Sequence, residues 1–144
     1  LLIRVRLLSM SSEQSLEKIC RENIATLGDN WTWDARSETA VLTFEKERGP
    51  GVLGAAHKIL SDSWTVINVG DALARVQSLA DDMGGLREGQ VLLTARVSDA
   101  KPMLFGAVWP WGNGKNVSLR VGCDSGGAER GEWVTRLKAW FNTR

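Results

Sequence analysis

The sequence predicts an α+β domain with a mainly antiparallel sheet of about five to six strands and about four helices packed largely on one face. Amphipathic helices and β-branched strands are mixed along the chain without the regular strand–helix alternation of parallel sheets. Three strand-like segments near the C-terminal end are joined only by turn residues, which is typical of an antiparallel meander. The 144 residues fit a single domain over 1–144 that buries its own core.

The first segment alternates apolar residues with arginines, and this alternation predicts an edge strand in residues 1–9. Met10 directly precedes a strong helix start, so residues 1–9 are alternatively interpreted as upstream read-through before an original start at Met10. Residues 11–28 then predict a helix, because a serine N-cap and Gly28 bound one apolar stripe. The stripe is formed by Leu16, Ile19, Cys20, Ile24 and Leu27.

A hairpin is predicted next. A short strand runs through Trp31 and Trp33, a polar turn follows near Arg36, and a second strand covers 39–46. The residues after this hairpin predict a helix over 51–62, since a proline at the first helical position favours a helix start.

The β-branched segment 64–70 predicts another strand, and 71–85 predicts a helix that opens with Asp71 as N-cap and ends on two glycines. The meander strands are predicted over 90–98, 102–109 and 116–123. The last helix is predicted in GEWVTRLKAWFNTR, with one apolar face formed by Trp133, Val134, Leu137, Trp140 and Phe141.

Composition excludes several classes of protein. The chain is 43% hydrophobic and 24% charged, which is ordinary for a globular domain, and its net charge is +1. Such a weak charge gives no field for nucleic acid or membranes, so we expect neither as a partner. Two distant cysteines predict reduced thiols and a cytoplasmic location. One histidine and two cysteines supply too few ligands for a metal site, and we expect no cofactor.

A glycine pattern offers an enzymatic alternative. Gly49, Gly51 and Gly54 have the G-x-G-x-x-G spacing that resembles a dinucleotide-binding fingerprint, and Arg48-Gly-Pro-Gly resembles the pyrophosphate loop of GNAT acetyltransferases. The resemblance implies a nucleotide or coenzyme A bound on the amides of this loop. The residues themselves favour a Gly-Pro helix start, because Pro50 lacks one of the amides that would bind phosphate. In this alternative, His57 is the candidate general base.

Tryptophan is the unusual feature of the composition, with seven tryptophans, three phenylalanines and no tyrosine. Tryptophan anchors ligands and partners because it is large and accepts cations over its face, but it is also a good core residue. In the stretch VWPWGNGKN, the choice between a binding role and a core role for Trp109 depends on which residues of the two hairpin strands lie opposite each other.

A two-residue type I′ turn at Asn113-Gly114 would set Trp109 opposite Ser118 and beside Arg120. A three-residue loop would set Trp109 opposite Leu119, in a single core with Phe105. Turn chemistry favours the two-residue turn, which predicts a sheet that is apolar on both faces. Helices would cover one face, and a ligand, a partner or a second copy of the chain would cover the other.

The leading hypothesis is therefore a non-enzymatic ligand- or protein-binding module, expected to be a homodimer, with its site on a tryptophan-rich open sheet face. The alternatives are a small enzyme with a pocket between sheet and helices, and an immunity or inhibitor protein. The predicted site residues are Phe105, Trp109, Trp111 and Arg120, with Trp31 and Trp33 as neighbours. Aromatic side chains would supply contact area, and Arg120 would orient an acidic or planar group.

Overall fold

A computed structural model describes residues 31–58, 60–94 and 103–124, together with residues 134–135 and 138–139. Six strands form one antiparallel sheet in the order β1-β2-β6-β5-β4-β3. The elements are β1 (Trp31–Asp34), β2 (Thr39–Glu45), α1 (Gly49–His57), β3 (Asp62–Trp64), α2 (Ala74–Asp82), β4 (Val91–Thr94), β5 (Met103–Pro110) and β6 (Asn116–Asp124). This order of strands and helices is the one predicted between the first and the last predicted helix. The antiparallel α+β prediction is therefore confirmed.

Both faces of the sheet carry apolar residues, because adjacent residues on a strand point to opposite sides. Leu104 packs on one face with Val52 and Ala56 of α1, and we name this the α1 face. Phe105 packs on the other face in a second cluster with α2, and we name this the α2 face. The α2 cluster consists of Ala72, Val76, Leu79, Ala80, Leu92 and Phe105.

The expectation of about four helices packed largely on one face needs correction. Between residues 31 and 124, the described ranges hold two α-helices, and these two pack on opposite faces of the sheet. The helix predicted over 11–28 and the segment 1–9 lie outside the described residues. The helix predicted over 131–144 lies outside them as well, except for residues 134–135 and 138–139, which are helical.

The strand predicted over 64–70 is wrong in position. Strand β3 ends at Trp64, and a turn follows in which Asn68 Oδ1 accepts the Thr65 N–H at 2.7 Å. Thr65 Oγ1 in turn accepts the Ile67 N–H at 3.3 Å. These side-chain hydrogen bonds compete with strand pairing, so β-branched residues enter a turn. Ile67 is left 91% exposed at its tip.

The β5–β6 hairpin has the register of the two-residue turn but a different turn. Trp109 lies opposite Ser118 as predicted, yet the Trp111 N–H donates to Asn116 O at 2.8 Å and leaves a four-residue loop. The predicted type I′ turn is wrong. A type I′ turn needs a positive φ at both central residues, and of Asn113 and Gly114 only Gly114 has one, at 70°. A two-residue loop and a four-residue loop that are both centred on Asn113-Gly114 place the same residues of β5 and β6 opposite each other. The predicted pairing of Trp109 with Ser118 is therefore correct even though the turn type is not.

The glycine pattern lies inside α1 and not in a loop. Gly49 is the first residue of the helix, Pro50 follows in its first turn, and Gly51 and Gly54 are within it. This segment is therefore helical from Gly49 onwards, and the glycine loop required by the nucleotide and coenzyme A resemblance is absent from it. The predicted helix start is confirmed, although α1 ends at His57 and not at 62.

Candidate functional site

A cleft of about 580 Å³ lies on the α2 face, between the sheet, the C-terminal end of α2 and the β1–β2 turn. Strands β5 and β6 form its floor, α2 forms one wall, and turn residues 36–38 form the opposite rim. The volume is within the range of small-molecule sites in proteins, which is about 300–1,000 Å³. Three of the predicted site residues line this cleft, namely Phe105, Trp109 and Arg120.

The ring of Phe105 forms part of the floor. It crosses Gly122, its partner on β6, and only a residue without a Cβ leaves room for it. A Cβ at Gly122 would lie 2.7 Å from Phe105 Cζ and 2.8 Å from Thr39 Cγ2. Phe105 is itself 6% exposed, because α2 packs over it. The floor is therefore apolar and closely packed.

Trp109 also lies on the floor. It is further along β5 than Phe105 and on the same side of the sheet. Its side chain is half-buried, and Ala107 lies between the two aromatic residues. Ser118, opposite Trp109, is buried and directs its Oγ to Trp109 O at 3.5 Å. A large aromatic surface thus remains partly accessible from the cleft.

Arg120 introduces a positive charge beside Ala107 and is held in place by the β1–β2 hairpin. Its Nη1 donates to Asp34 Oδ2 at 2.5 Å, to Ser37 Oγ at 3.1 Å and to Thr39 Oγ1 at 3.5 Å. All three contacts use one nitrogen of the guanidinium group. Nε and Nη2 make no hydrogen bond to any other residue that the structure describes.

The Arg120 guanidinium holds the pKa of the Asp34 carboxyl at about 2, below the usual value of 3.8. The hydroxyl of Ser37 and the backbone N–H of Arg36 lower this pKa further by donating to the same carboxylate. Asp34 is therefore ionised at neutral pH and serves to fix Arg120. A carboxylate of this kind is poorly suited to proton transfer near pH 7.

The opposite wall of the cleft is acidic. Asp82 ends α2, and Leu79 and Met83 flank it with apolar surface. Asp124, at the end of β6, accepts a hydrogen bond from Arg75 Nη2 on its main-chain oxygen at 2.9 Å. Arg75 Nε also lies 3.9 Å from Asp124 Oδ2. The rim formed by the β1–β2 turn therefore carries both signs of charge, Arg36 and Glu38, whereas the α2 side carries the carboxylates of Asp82 and Asp124.

The remaining predicted site residues lie elsewhere. Trp31 and Trp33 pack against the core of the α1 face, so they are separated from the cleft by the sheet. Trp111 is 46% exposed beyond the end of β5 and does not line the cleft. The prediction of an open sheet face also needs correction, because α2 covers the part of that face that carries Phe105.

Sequence reasoning missed the residues that complete the site, namely Asp34, Ser37, Thr39, Leu79, Asp82 and Met83. One signal was present in β2, where the polar Thr39 and Thr43 alternate with the apolar Ala40, Leu42 and Phe44. This alternation indicates a strand with one polar side. The ion pair between Asp34 and Arg120 has no sequence signal, because the two residues lie on different strands with β2 between them.

His57, the candidate base of the enzymatic alternative, ends α1 on the other side of the sheet from the cleft. Among the described residues, no group of histidine, cysteine and acidic side chains has an arrangement that could hold a metal ion. No helix in the same ranges has the length and apolar character needed to cross a membrane.

The fold and the cleft together define a small α+β domain with a ligand-sized cleft on one face of an antiparallel sheet. No protein-family model, curated protein or solved structure matches this chain.

Proposed function

We propose that this chain is a non-enzymatic binding domain that holds a small molecule in the cleft of the α2 face. The observation that carries the proposal is the combination of a buried aromatic floor with charged groups at the rim, in a volume of about 580 Å³. Binding sites for small molecules combine a mainly apolar lining with a few fixed polar groups in this way.

Preorganisation supports the proposal. Arg120 is oriented by Asp34, and Asp34 is itself held by Ser37 and by the Arg36 backbone, so the guanidinium keeps one direction before any ligand arrives. A ligand then meets a group whose side-chain entropy is already lost, and this lowers the free-energy cost of binding. The Phe105 ring is similarly held between α2 and Gly122.

The electrostatics favour binding over catalysis. The cleft contains no histidine and no tyrosine, and the low pKa of Asp34 keeps that neighbouring carboxylate ionised. A general acid or base working near neutral pH needs a pKa closer to 7. The small-enzyme alternative would instead depend on Glu38, Asp82 or Asp124, the carboxylates that line the cleft.

A thermal-shift screen with a library of metabolites tests the proposal. A compound that binds the folded protein raises the melting temperature, and the stabilisation grows with the logarithm of the ratio of its concentration to its Kd. The expected result is at least one compound that stabilises the wild-type chain but not the Trp109→Ala variant, whose cleft loses most of its accessible aromatic surface.

Trp33→Ala is the matched control, because it removes a tryptophan from the other face of the same sheet. This variant should lower stability and still respond to the same compound. If Trp109→Ala lowered stability and left every ligand response intact, Trp109 would be a core residue only and the proposal would be wrong.

A further inference from the structure

We propose that Asn113 is a site of spontaneous covalent modification, at which the side-chain amide reacts with the main chain and is converted to a carboxylate. The proposal concerns the β5–β6 turn and is independent of any ligand of the cleft. Three features of the turn carry it: the glycine that follows Asn113, the exposure of both residues, and two hydrogen bonds to the side-chain oxygen of Asn113.

The nucleophile is the main-chain nitrogen of Gly114. Glycine has no Cβ beside this nitrogen, so Cγ of Asn113 can approach it without steric hindrance. Both residues are exposed, and water therefore reaches the reacting atoms. The Gly114 N–H donates to Trp111 O at 3.3 Å, which is longer than the usual range of about 2.7–3.2 Å. The nitrogen is therefore only weakly held in the folded chain.

The electrophile is the amide carbon of Asn113, whose oxygen is already bound by two donors. Asn113 Oδ1 accepts the N–H groups of Lys115 at 2.9 Å and of Asn116 at 3.1 Å. Attack on Cγ places a negative charge on this oxygen, and a hydrogen bond to a charged oxygen is about twice as strong as one to a neutral carbonyl. Two donors that are in place before the attack therefore stabilise the tetrahedral intermediate, as an oxyanion hole does.

The reaction consumes water, releases ammonia and changes no oxidation state. Gly114 N gives its proton to solvent hydroxide and forms a bond to Asn113 Cγ, and the side-chain nitrogen then takes up a proton and leaves as ammonia. Water opens the resulting cyclic imide at either carbonyl carbon. Cleavage between Gly114 N and Cγ gives aspartate at 113. Cleavage between Gly114 N and the main-chain carbonyl carbon of Asn113 gives isoaspartate, in which the main chain runs through Cγ.

The other asparagines between residues 31 and 124 of the described chain lack this combination of features. Asn68 and Asn116 are half-buried, and each is followed by a valine, whose branched Cβ hinders attack by its own nitrogen. The amide of Asn68 is also held at both ends: Oδ1 accepts the Thr65 N–H at 2.7 Å, and Nδ2 donates to Ser63 O at 3.3 Å. Asn68 and Asn116 are therefore internal references for Asn113.

Incubation of the purified chain at neutral pH, followed by peptide mapping with mass spectrometry, tests the proposal. Conversion at one asparagine lowers the net charge of the chain from +1 to 0, so ion-exchange chromatography separates the product. We expect aspartate and isoaspartate at position 113 and unmodified Asn68 and Asn116 over the same period. Asn113→Gln should remove this product, because the longer side chain would have to close a larger ring.

The matched control for the effect of the fold is the peptide PWGNGKN, residues 110–116 with blocked ends, which has the same local sequence without the two strands. We expect Asn113 to convert about fivefold faster in the folded chain, the rate factor that corresponds to one net hydrogen bond gained in the transition state. Equal or slower conversion in the folded chain would overturn the proposal, because the turn would then protect Asn113. Conversion of Asn68 or Asn116 as fast as Asn113 would overturn it as well.

Discussion

Arg120 on β6 and Asp34 on β1 form an ion pair across the intervening strand β2, with Nη1 and Oδ2 separated by 2.5 Å. The pair joins an edge strand to the centre of the sheet by a contact that does not depend on backbone pairing. It also fixes the guanidinium group that lines the cleft. The same contact therefore serves the edge of the fold and the candidate site.

Loss of this ion pair should destabilise the chain by about 1 kcal/mol in Asp34→Asn, because both side chains remain about one-third exposed and water screens the pair. Urea denaturation at neutral pH measures the change in the free energy of unfolding. Asp81→Asn, an exposed carboxylate without an ion pair inside the described ranges, is the control and should change stability by less. Equal effects of the two variants would contradict the structural role of the pair.

The contribution of Asp34 should depend on pH in a defined direction. Its pKa is about 2 in the folded chain against a usual value of 3.8, so the carboxylate stabilises the fold fully above pH 3.8. That contribution disappears as the pH falls through 3.8 towards 2, where the folded chain also takes up the proton. The difference in unfolding free energy between wild type and Asp34→Asn should shrink over this interval. A difference that grew with acidity would contradict the assigned pKa shift.

Gly122→Ala should destabilise the chain by about 1–3 kcal/mol, because its Cβ would overlap the ring of Phe105 and the methyl group of Thr39. Gly54→Ala is the matched control, since nothing lies within 4 Å of a Cβ there and Gly54 is in a helix. That control should stabilise by roughly 0.5–1 kcal/mol. Thermal or urea unfolding measures both, and destabilisation by the two substitutions alike would show that Phe105 does not require the space at Gly122.

The β5–β6 turn should depend on the side-chain oxygen of Asn113. Asn113 Oδ1 accepts the N–H groups of Lys115 at 2.9 Å and of Asn116 at 3.1 Å. Asn113→Ala should therefore cost about 1 kcal/mol in unfolding free energy, whereas Asn113→Asp keeps the acceptor and should cost less. If the two variants were equally destabilised, the oxygen would not stabilise the turn.

The prediction of a homodimer is tested by the mass in solution. Light scattering should give twice the chain mass of 15.8 kDa if a second copy packs against the domain. A mass of 15.8 kDa at every concentration would contradict the dimer and leave the cleft as a site within one chain.

The sequence by itself determined the antiparallel α+β class, the order of the elements and the side of β5 that Phe105 and Trp109 share. These features follow from local chemistry: the alternation of side chains along a strand, proline at a helix start and turn residues between strands. Local chemistry was insufficient at 64–70, where the hydrogen bonds of Thr65 and Asn68 turned a β-branched segment out of the sheet.

Only the tertiary structure decided how the two faces are covered and which residues meet in the cleft. Three features depend on the arrangement of the strands in the sheet: α2 packs over Phe105, Arg120 forms an ion pair with Asp34, and Trp33 lies on the face opposite the cleft. Strand order is set by burial and packing across the whole sheet, which no short segment encodes. The stretch VWPWGNGKN thus specified where Trp109 points, while distant residues decided what surrounds it.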